Sequence, residues 1–261
     1  MSPFEERIAR LDLSLFDAID SQSDAGDRGS WLAVQRQVRR AHGSYAYLEI
    51  GSHLGGSIQP HLLDPQCRTI YSIDKRPLEP PDDRGQTFRY EGNSTARMLA
   101  LLRTLDPDHP ELTEKIVCFD ADARDIDPAC IPDPPDLCFI DGEHTQAAVL
   151  SDFAFCRRVC APRAVICFHD DWIVYPALAE ILRALRRQGT PARAFKLRGS
   201  TFAIALGATS APDDPFLRET AVDGRRFILR MRLRRIAKRL LPSSLLPVVR
   251  SLRRLFGGSP P

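Results

Sequence analysis

Apolar residues gather in short runs along most of this chain, and the runs alternate with stretches where they recur at helical spacing. Residues 45–50 are apolar or aromatic apart from Glu49 and stop at Gly51, which predicts a buried strand. Residues 69–74, 115–123, 136–141 and 164–170 repeat the pattern, each closing on acidic or small residues. Helical spacing fills the gaps. Ser30 reads as the N-cap of a helix reaching His42, with Trp31, Val34 and Val38 as its stripe and Gly43 as its stop. Met98, Leu99, Leu101, Leu102 and Leu105 mark a helix after Asn93-Ser94, and residues 147–159 and 175–188 predict two more. A short strand is expected at 87–90, with 195–197 and 201–206 as an antiparallel pair turning at Arg198-Gly199-Ser200. Strand alternating with helix over 45–190 implies an α/β domain on a doubly wound, mostly parallel sheet with an antiparallel closing strand. The chain then divides into a helical lead-in (1–29, amphipathic from Phe4 to Ile19), the domain (30–224) and a basic helical tail (225–261).

Sheets of this kind bind ligands at the carboxyl ends of their strands, and that is where the unusual residues fall. After the first strand come Gly51-Ser52 and Gly55-Gly56-Ser57, a glycine turn with Ser57 placed to open a helix. Glycine permits close backbone approach, and a helix start offers free N–H groups. The spacing is not G-x-G-x-x-G, which disfavours a nicotinamide dehydrogenase. Glu49 beside the turn suits a ligand with a cationic head. Asp74 ends the second strand, where a carboxylate can accept both hydroxyls of a ribose. Asp141, Asp170 and Asp171 end two strands expected to be neighbours. Three converging carboxylates would hold a hard divalent cation, Mg²⁺ above all. His144 and His169 lie beside them, and either could take a proton near neutral pH. His144 is preferred as the base because it lies in the loop beyond its strand, with His169 supporting a metal ligand.

Glu49-Ile50-Gly51-x-x-x-Gly55-Gly56-Ser57 resembles motif I of class I S-adenosylmethionine-dependent methyltransferases. Asp136-x-x-Phe139-Ile140-Asp141-Gly142-x-His144, followed by a strand ending in His169-Asp170, is similar to the small-molecule and sugar O-methyltransferases of the cephalosporin hydroxylase and macrocin O-methyltransferase types. The resemblance spans about residues 30–207 and implies a Rossmann-like fold that binds S-adenosyl-L-methionine. It further implies Glu49 at the donor's amino-acid part and Gly51, Ser52, Gly55, Gly56 and Ser57 along its backbone-facing side. Asp74 would meet the ribose, with Asp122-Ala123 at the adenine and Asp120 and Asp125 as close rivals for that place. Catechol O-methyltransferase has a similar metal layout, an Asp and then an Asp-Asn pair. By position, Asp141, Asp170 and Asp171 become the metal candidates and Asp141 and His144 the catalytic ones, with Asp171 replacing an amide. The acceptor would be a hydroxyl of a small molecule or of a sugar or glycan precursor. A metal-dependent hydrolase using His144, His169, Asp170 and Asp171 is the rival of another class, but it leaves Glu49, the glycine turn and Asp74 without work. A non-catalytic ligand-binding scaffold of the same fold is the second rival.

Charge is uneven. Of 36 Lys and Arg residues, 11 follow Gly224, whereas none of the 34 Asp and Glu residues does, so residues 1–224 carry a net charge of −9. Seven cysteines, odd in number and without C-x-x-C, read as reduced thiols of a cytoplasmic protein rather than disulfides or zinc ligands. Neither a signal peptide nor a membrane-spanning run is evident. Leu229, Leu233, Ile236 and Leu240 form one helical stripe among arginines and lysines, up to Pro242, and 245–256 is a second basic, apolar segment. Such a helix suits the inner face of an anionic membrane, or docking on the domain's own acidic body or on a second copy in a homo-oligomer. Nucleic acid is not expected.

Overall fold

The computed structural model describes residues 2–240 except 84, 86 and 208–211. Eight strands, β1 (Tyr45–Ile50), β2 (Cys67–Ile73), β3 (Ile116–Phe119), β4 (Leu137–Ile140), β5 (Val165–Phe168), β6 (Ala192–Lys196), β7 (Phe202–Leu206) and β8 (Val222–Asp223), form one sheet in the order β3-β2-β1-β4-β5-β7-β6-β8. The first five are parallel, and β7 enters antiparallel between β5 and β6. This is the Rossmann-like, mostly parallel sheet expected. Alternation along β1 sends Tyr45 and Tyr47 to one face and Leu48 and Ile50 to the other. Both faces are covered, so every residue of β1 is buried.

On the first face lie α1 (Pro3–Ala9), α2 (Ala25–His42), α3 (Gln59–Leu62), α4 (Thr95–Arg103) and α7 (Pro215–Thr220). The second face carries α5 (Gln146–Val159), α6 (Asp171–Arg187) and α8 (Gly224–Leu240). The lead-in is built into the first core: Phe4, Ile8, Leu15, Phe16 and Ile19 are buried there. Each such side chain is worth roughly 1.5–3 kcal/mol on removal from water. Gln59, fully buried, fixes the lead-in by accepting from the backbone N–H groups of Ala18 and Ile19 and donating to the carbonyls of Phe16 and Ile19.

Several local expectations give way. The helix expected from Ser30 starts at Ala25. Asp24 caps it through a reciprocal box with Asp27, while Ser30 lies inside the helix and donates to the Arg198 carbonyl. Asp at the cap with a carboxylate three residues on outcompetes a serine that tertiary contact claims instead. Residues 87–90 form no strand; among the described residues a ladder-like bond runs from Tyr90 N–H to the Leu78 carbonyl. Ser57 opens no helix, because α3 is a single turn capped by Ile58 without a side-chain bond. The helix expected from Tyr175 begins at Asp171, and Pro176 is accommodated within it. Pro242 and residues 245–256 lie outside the described residues.

Candidate functional site

A cavity of about 230 Å³ opens at the carboxyl ends of β1, β2 and β4, with walls from the β3, β4 and β5 loops and a lip from Asp20–Gln22. Its floor is the turn after β1. Gly51 has φ +92°, and a Cβ there would lie 2.2 Å from the Asp141 carbonyl, so the two strand ends meet only because this residue lacks a side chain. A Cβ on Gly56 would strike Ser21 at 2.6 Å, which lets the lead-in close over the cavity. Gly55 does not line the cavity: a Cβ there would lie 3.1 Å from the Leu102 side chain, so it serves packing.

Glu49 is also not a cavity residue. It is 1% exposed, accepts from the Tyr47 hydroxyl at 2.9 Å and accepts a short bond from Ser57. Burial pushes its carboxyl up to about 8, against the pull of those two hydroxyls. It fixes Ser57, which does line the cavity, from beneath. Ser52 is anchored similarly, its hydroxyl 2.7 Å from that of Ser72.

Asp74 faces the cavity just past β2. Its carboxylate accepts from the N–H of His53 at 2.8 Å and from that of Arg76 at 2.7 Å. Those backbone donors hold the carboxylate oxygens in place while leaving lone pairs for a ligand. Beyond it, Asp122 and Ala123 line the far wall. Asp122 is held well below the usual carboxylate range, chiefly by Arg124 at 2.7 Å and also by Lys75 at 3.1 Å. Lys75 bridges on to Glu143.

Asp152 is the residue the sequence did not flag. It sits on α5, is 7% exposed, lines the cavity and makes no hydrogen bond or ion pair with a described residue. Burial, with Asp122 and Glu143 adding repulsion, pushes its carboxyl up to about 7. A signal was present: Val149, Asp152, Phe153 and Cys156 share one buried helical face, where a lone carboxylate is out of place.

The other end of the cavity holds the two histidines. His169 is 7% exposed between Asp141, 3.1 Å from Nδ1, and Asp27, 3.4 Å from Nε2, with the Trp31 ring against it. Burial disfavours its charge, but Asp141 and Asp27 outweigh that and push its pKa up to about 11. His169 is thus a standing buried cation. Asp141 in turn is kept well below its ordinary value despite burial, through His169 and His144. His144 Nε2 stands 3.2 Å from Asp170 and 3.7 Å from Asp141, while its Nδ1 faces Asp82 at 3.5 Å. Asp170 takes a left-handed conformation, φ 50°, at the turn from β5 into α6.

The three expected metal ligands do not come together. Asp171 is 1% exposed, lies off the cavity and pairs with Lys196 Nζ at 2.8 Å. The His144 ring stands between Asp141 and Asp170, where a cation would have to sit. Among the described residues no group of three His, Cys, Asp or Glu side chains is arranged to hold a metal ion. The donor set does not fit Mg²⁺, and the metal assignment of Asp171 is corrected to a structural ion pair.

Sheet order and the glycine turn together define a Rossmann-like domain. The comparisons narrow this. Residues 48–170 match the family model of a methyltransferase domain. A solved structure of the calicheamicin methyltransferase CalS11 superposes with a TM-score of 0.53 at 16% identity, covering 80% of this chain and 95% of that one. The apo structure of CalS11, a TDP-rhamnose 3′-O-methyltransferase, gives 0.51 at 15% identity, covering 80% and 97%. No curated protein matches the sequence. Residues 48–170 are thus similar to a methyltransferase domain, and the chain shares its fold with solved O-methyltransferases.

Proposed function

We propose that the protein is an O-methyltransferase that moves the methyl group of S-adenosylmethionine to a hydroxyl of a small molecule or sugar. One observation carries the reading: a single cavity has a backbone-fixed carboxylate, Asp74, toward one end and an imidazole flanked by carboxylates, His144, at the other. Bound S-adenosylmethionine supplies an electrophilic methyl on a sulfonium. Asp74 accepts the ribose hydroxyls, Ser57 and the Gly51–Ser52 backbone receive the amino-acid part, and Asp122, Ala123 and Asp152 surround the adenine. His144 takes the proton of the acceptor hydroxyl at Nε2. Asp170, Asp141 and Asp82 stabilise the imidazolium that results, as an acid partner steadies histidine in other base-catalysed reactions. His169, with its proton firmly held, positions Asp141 and does not act as base. No step is routed through a divalent cation.

A sugar acceptor is favoured over other hydroxyls by the likeness to CalS11, which is a sugar O-methyltransferase. All seven cysteines are free thiols, which supports a reducing, cytoplasmic setting. Titration with S-adenosylhomocysteine by calorimetry tests the donor half: wild type binds, and folded Asp74→Ala loses about 1.5–3 kcal/mol, the worth of hydrogen bonds to a charged group. Labelled methyl transfer to a panel of hydroxylated acceptors tests the other half. His144→Gln should bind the donor normally and lose turnover by about 10²–10⁴-fold. Loss of donor binding in wild type would overturn the reading outright.

A further inference from the structure

The helix α8 is two-sided, and among the described residues only one side packs on the fold. It packs on β6 and α6 through Ile228, Phe227 and Met231, which join the core on that face of the sheet. The stripe expected to pack or to bind, Leu229, Leu233 and Ile236, lies on the uncovered side, 58, 57 and 52% exposed. So docking on the domain and presenting an apolar stripe are not alternatives; the helix does both, through different faces. Arg225, Arg226, Arg230, Arg232 and Arg235 are exposed around the stripe, and residues 224–240 contain no Asp or Glu.

The helix also has a fixed direction relative to the cavity. Arg235 Nη1 lies 3.5 Å from the Tyr175 hydroxyl, and Tyr175 is one turn beyond Asp171 at the start of α6. The far part of α8 therefore ends beside the end of α6 that follows Asp170, where His144 waits. Trp172, 46% exposed, belongs to that same end of α6.

We propose that the outer face of α8 seats the protein on an anionic lipid surface, with the acceptor end of the cavity toward the bilayer. The acceptor is then a hydroxyl borne at the membrane surface, a point that rests on the methyltransferase reading, whereas the attachment itself does not. Three apolar side chains enter the acyl boundary while the arginines meet headgroup phosphates, their stems lying along the interface. A second copy fits less well, because a twofold contact would set five arginines against five with no acid on either helix. Nucleic acid would answer the arginines and leave the leucines and the isoleucine exposed. The acidic body, net −9 over residues 1–224, is repelled by the same surface, which favours contact through α8 rather than elsewhere.

The test uses the full chain, sedimented with vesicles of phosphatidylcholine alone or mixed with phosphatidylglycerol, at low and high salt. Wild type should pellet with the anionic vesicles at low salt and leave them at high salt. The combined variant Leu229→Ser, Leu233→Ser, Ile236→Ser should bind at least about tenfold more weakly, with an unchanged circular dichroism spectrum and unchanged affinity for S-adenosylhomocysteine. Retention of wild type in the supernatant overturns the proposal. So does undiminished pelleting of the variant, or self-association of wild type, seen by sedimentation velocity, that the variant abolishes. Orientation has its own readout: Trp172 emission, isolated by difference against Trp172→Phe, should shift to the blue on vesicles, and an unmoved spectrum removes the claim about the cavity. Donor affinity is measured separately, so failure of membrane binding and failure of the methyltransferase reading are distinguishable.

Discussion

Asp152→Asn should make the protein more stable at pH 8 and leave it unchanged below about pH 4. The Asp152 carboxyl lies in the wall of the cavity without a partner among the described residues; Asp122 on the β3 loop and Glu143 on the β4 loop repel its charge, and Lys75 and Arg124 offset part of that. In the fold it keeps its proton to about pH 7, whereas the ordinary value for the group is 3.8. Between those values the unfolded chain has released a proton that the native state still holds, so stability falls as pH rises through this window. Integrated across it, the penalty reaches at most about 4 kcal/mol, at about 1.4 kcal/mol for each pH unit. Asparagine keeps the shape and cannot ionise, so it removes the penalty. For a domain of this size, 1 kcal/mol moves the melting temperature by about 2–4 °C, so a gain of several degrees is expected at pH 8. Glu49, Asp171 and His169 also titrate away from their ordinary values. Melting curves of wild type and variant, followed by circular dichroism at each pH from 4 to about 9, cancel those contributions in the difference. A difference that does not grow with pH, or an Asn variant that is less stable at pH 8, would refute the reasoning.

Gly51→Ala should cost about 2–4 kcal/mol or prevent folding, since φ +92° and a Cβ 2.2 Å from the Asp141 carbonyl leave no room; chemical denaturation measures it. His169→Gln leaves Asp27 and Asp141 without their shared cation, at about 3–5 kcal/mol for a broken buried pair. Because the pKa of His169 is raised to about 11 from an ordinary 6.5, wild type has this contribution in full below pH 6.5 and loses it as pH climbs toward 11. The Gln variant should lack that alkaline slope. Lys196→Met strands the buried Asp171 carboxylate, and adding Asp171→Asn should recover most of the lost stability. A metal role for Asp171 would instead predict that Mg²⁺ raises the melting temperature of wild type and not of Asp171→Asn; no such rise is expected.

The parallel core was legible because β1, β4 and β5 are buried along their whole length and read as nearly unbroken apolar runs, and because the glycine turn is local chemistry. The position of Asp74 was legible for the same reason: it lies one residue past β2 and lines the cavity. Residues 87–90 misled because aromatic content suggests a strand, yet no neighbouring strand offers them a ladder, and pairing is a property of the sheet rather than of the segment. The hardest distinction lay within His169-Asp170-Asp171, three polar residues in succession whose side chains go to three different places. His169 is drawn inward by Asp27, which comes from α2 and lies 142 positions earlier in numbering. Asp170 is turned to the cavity by a left-handed backbone at the start of α6. Asp171 is taken by Lys196, from the closing strand β6. A run of carboxylates at a strand end announces that buried charge must be compensated. Whether a lysine, an imidazole or a metal ion supplies the compensation depends on partners distant in sequence. Among the described residues lysine and imidazole do so at every candidate, and the successive polar side chains of one short run end in separate ion pairs with His144, Asp27, Asp141 and Lys196.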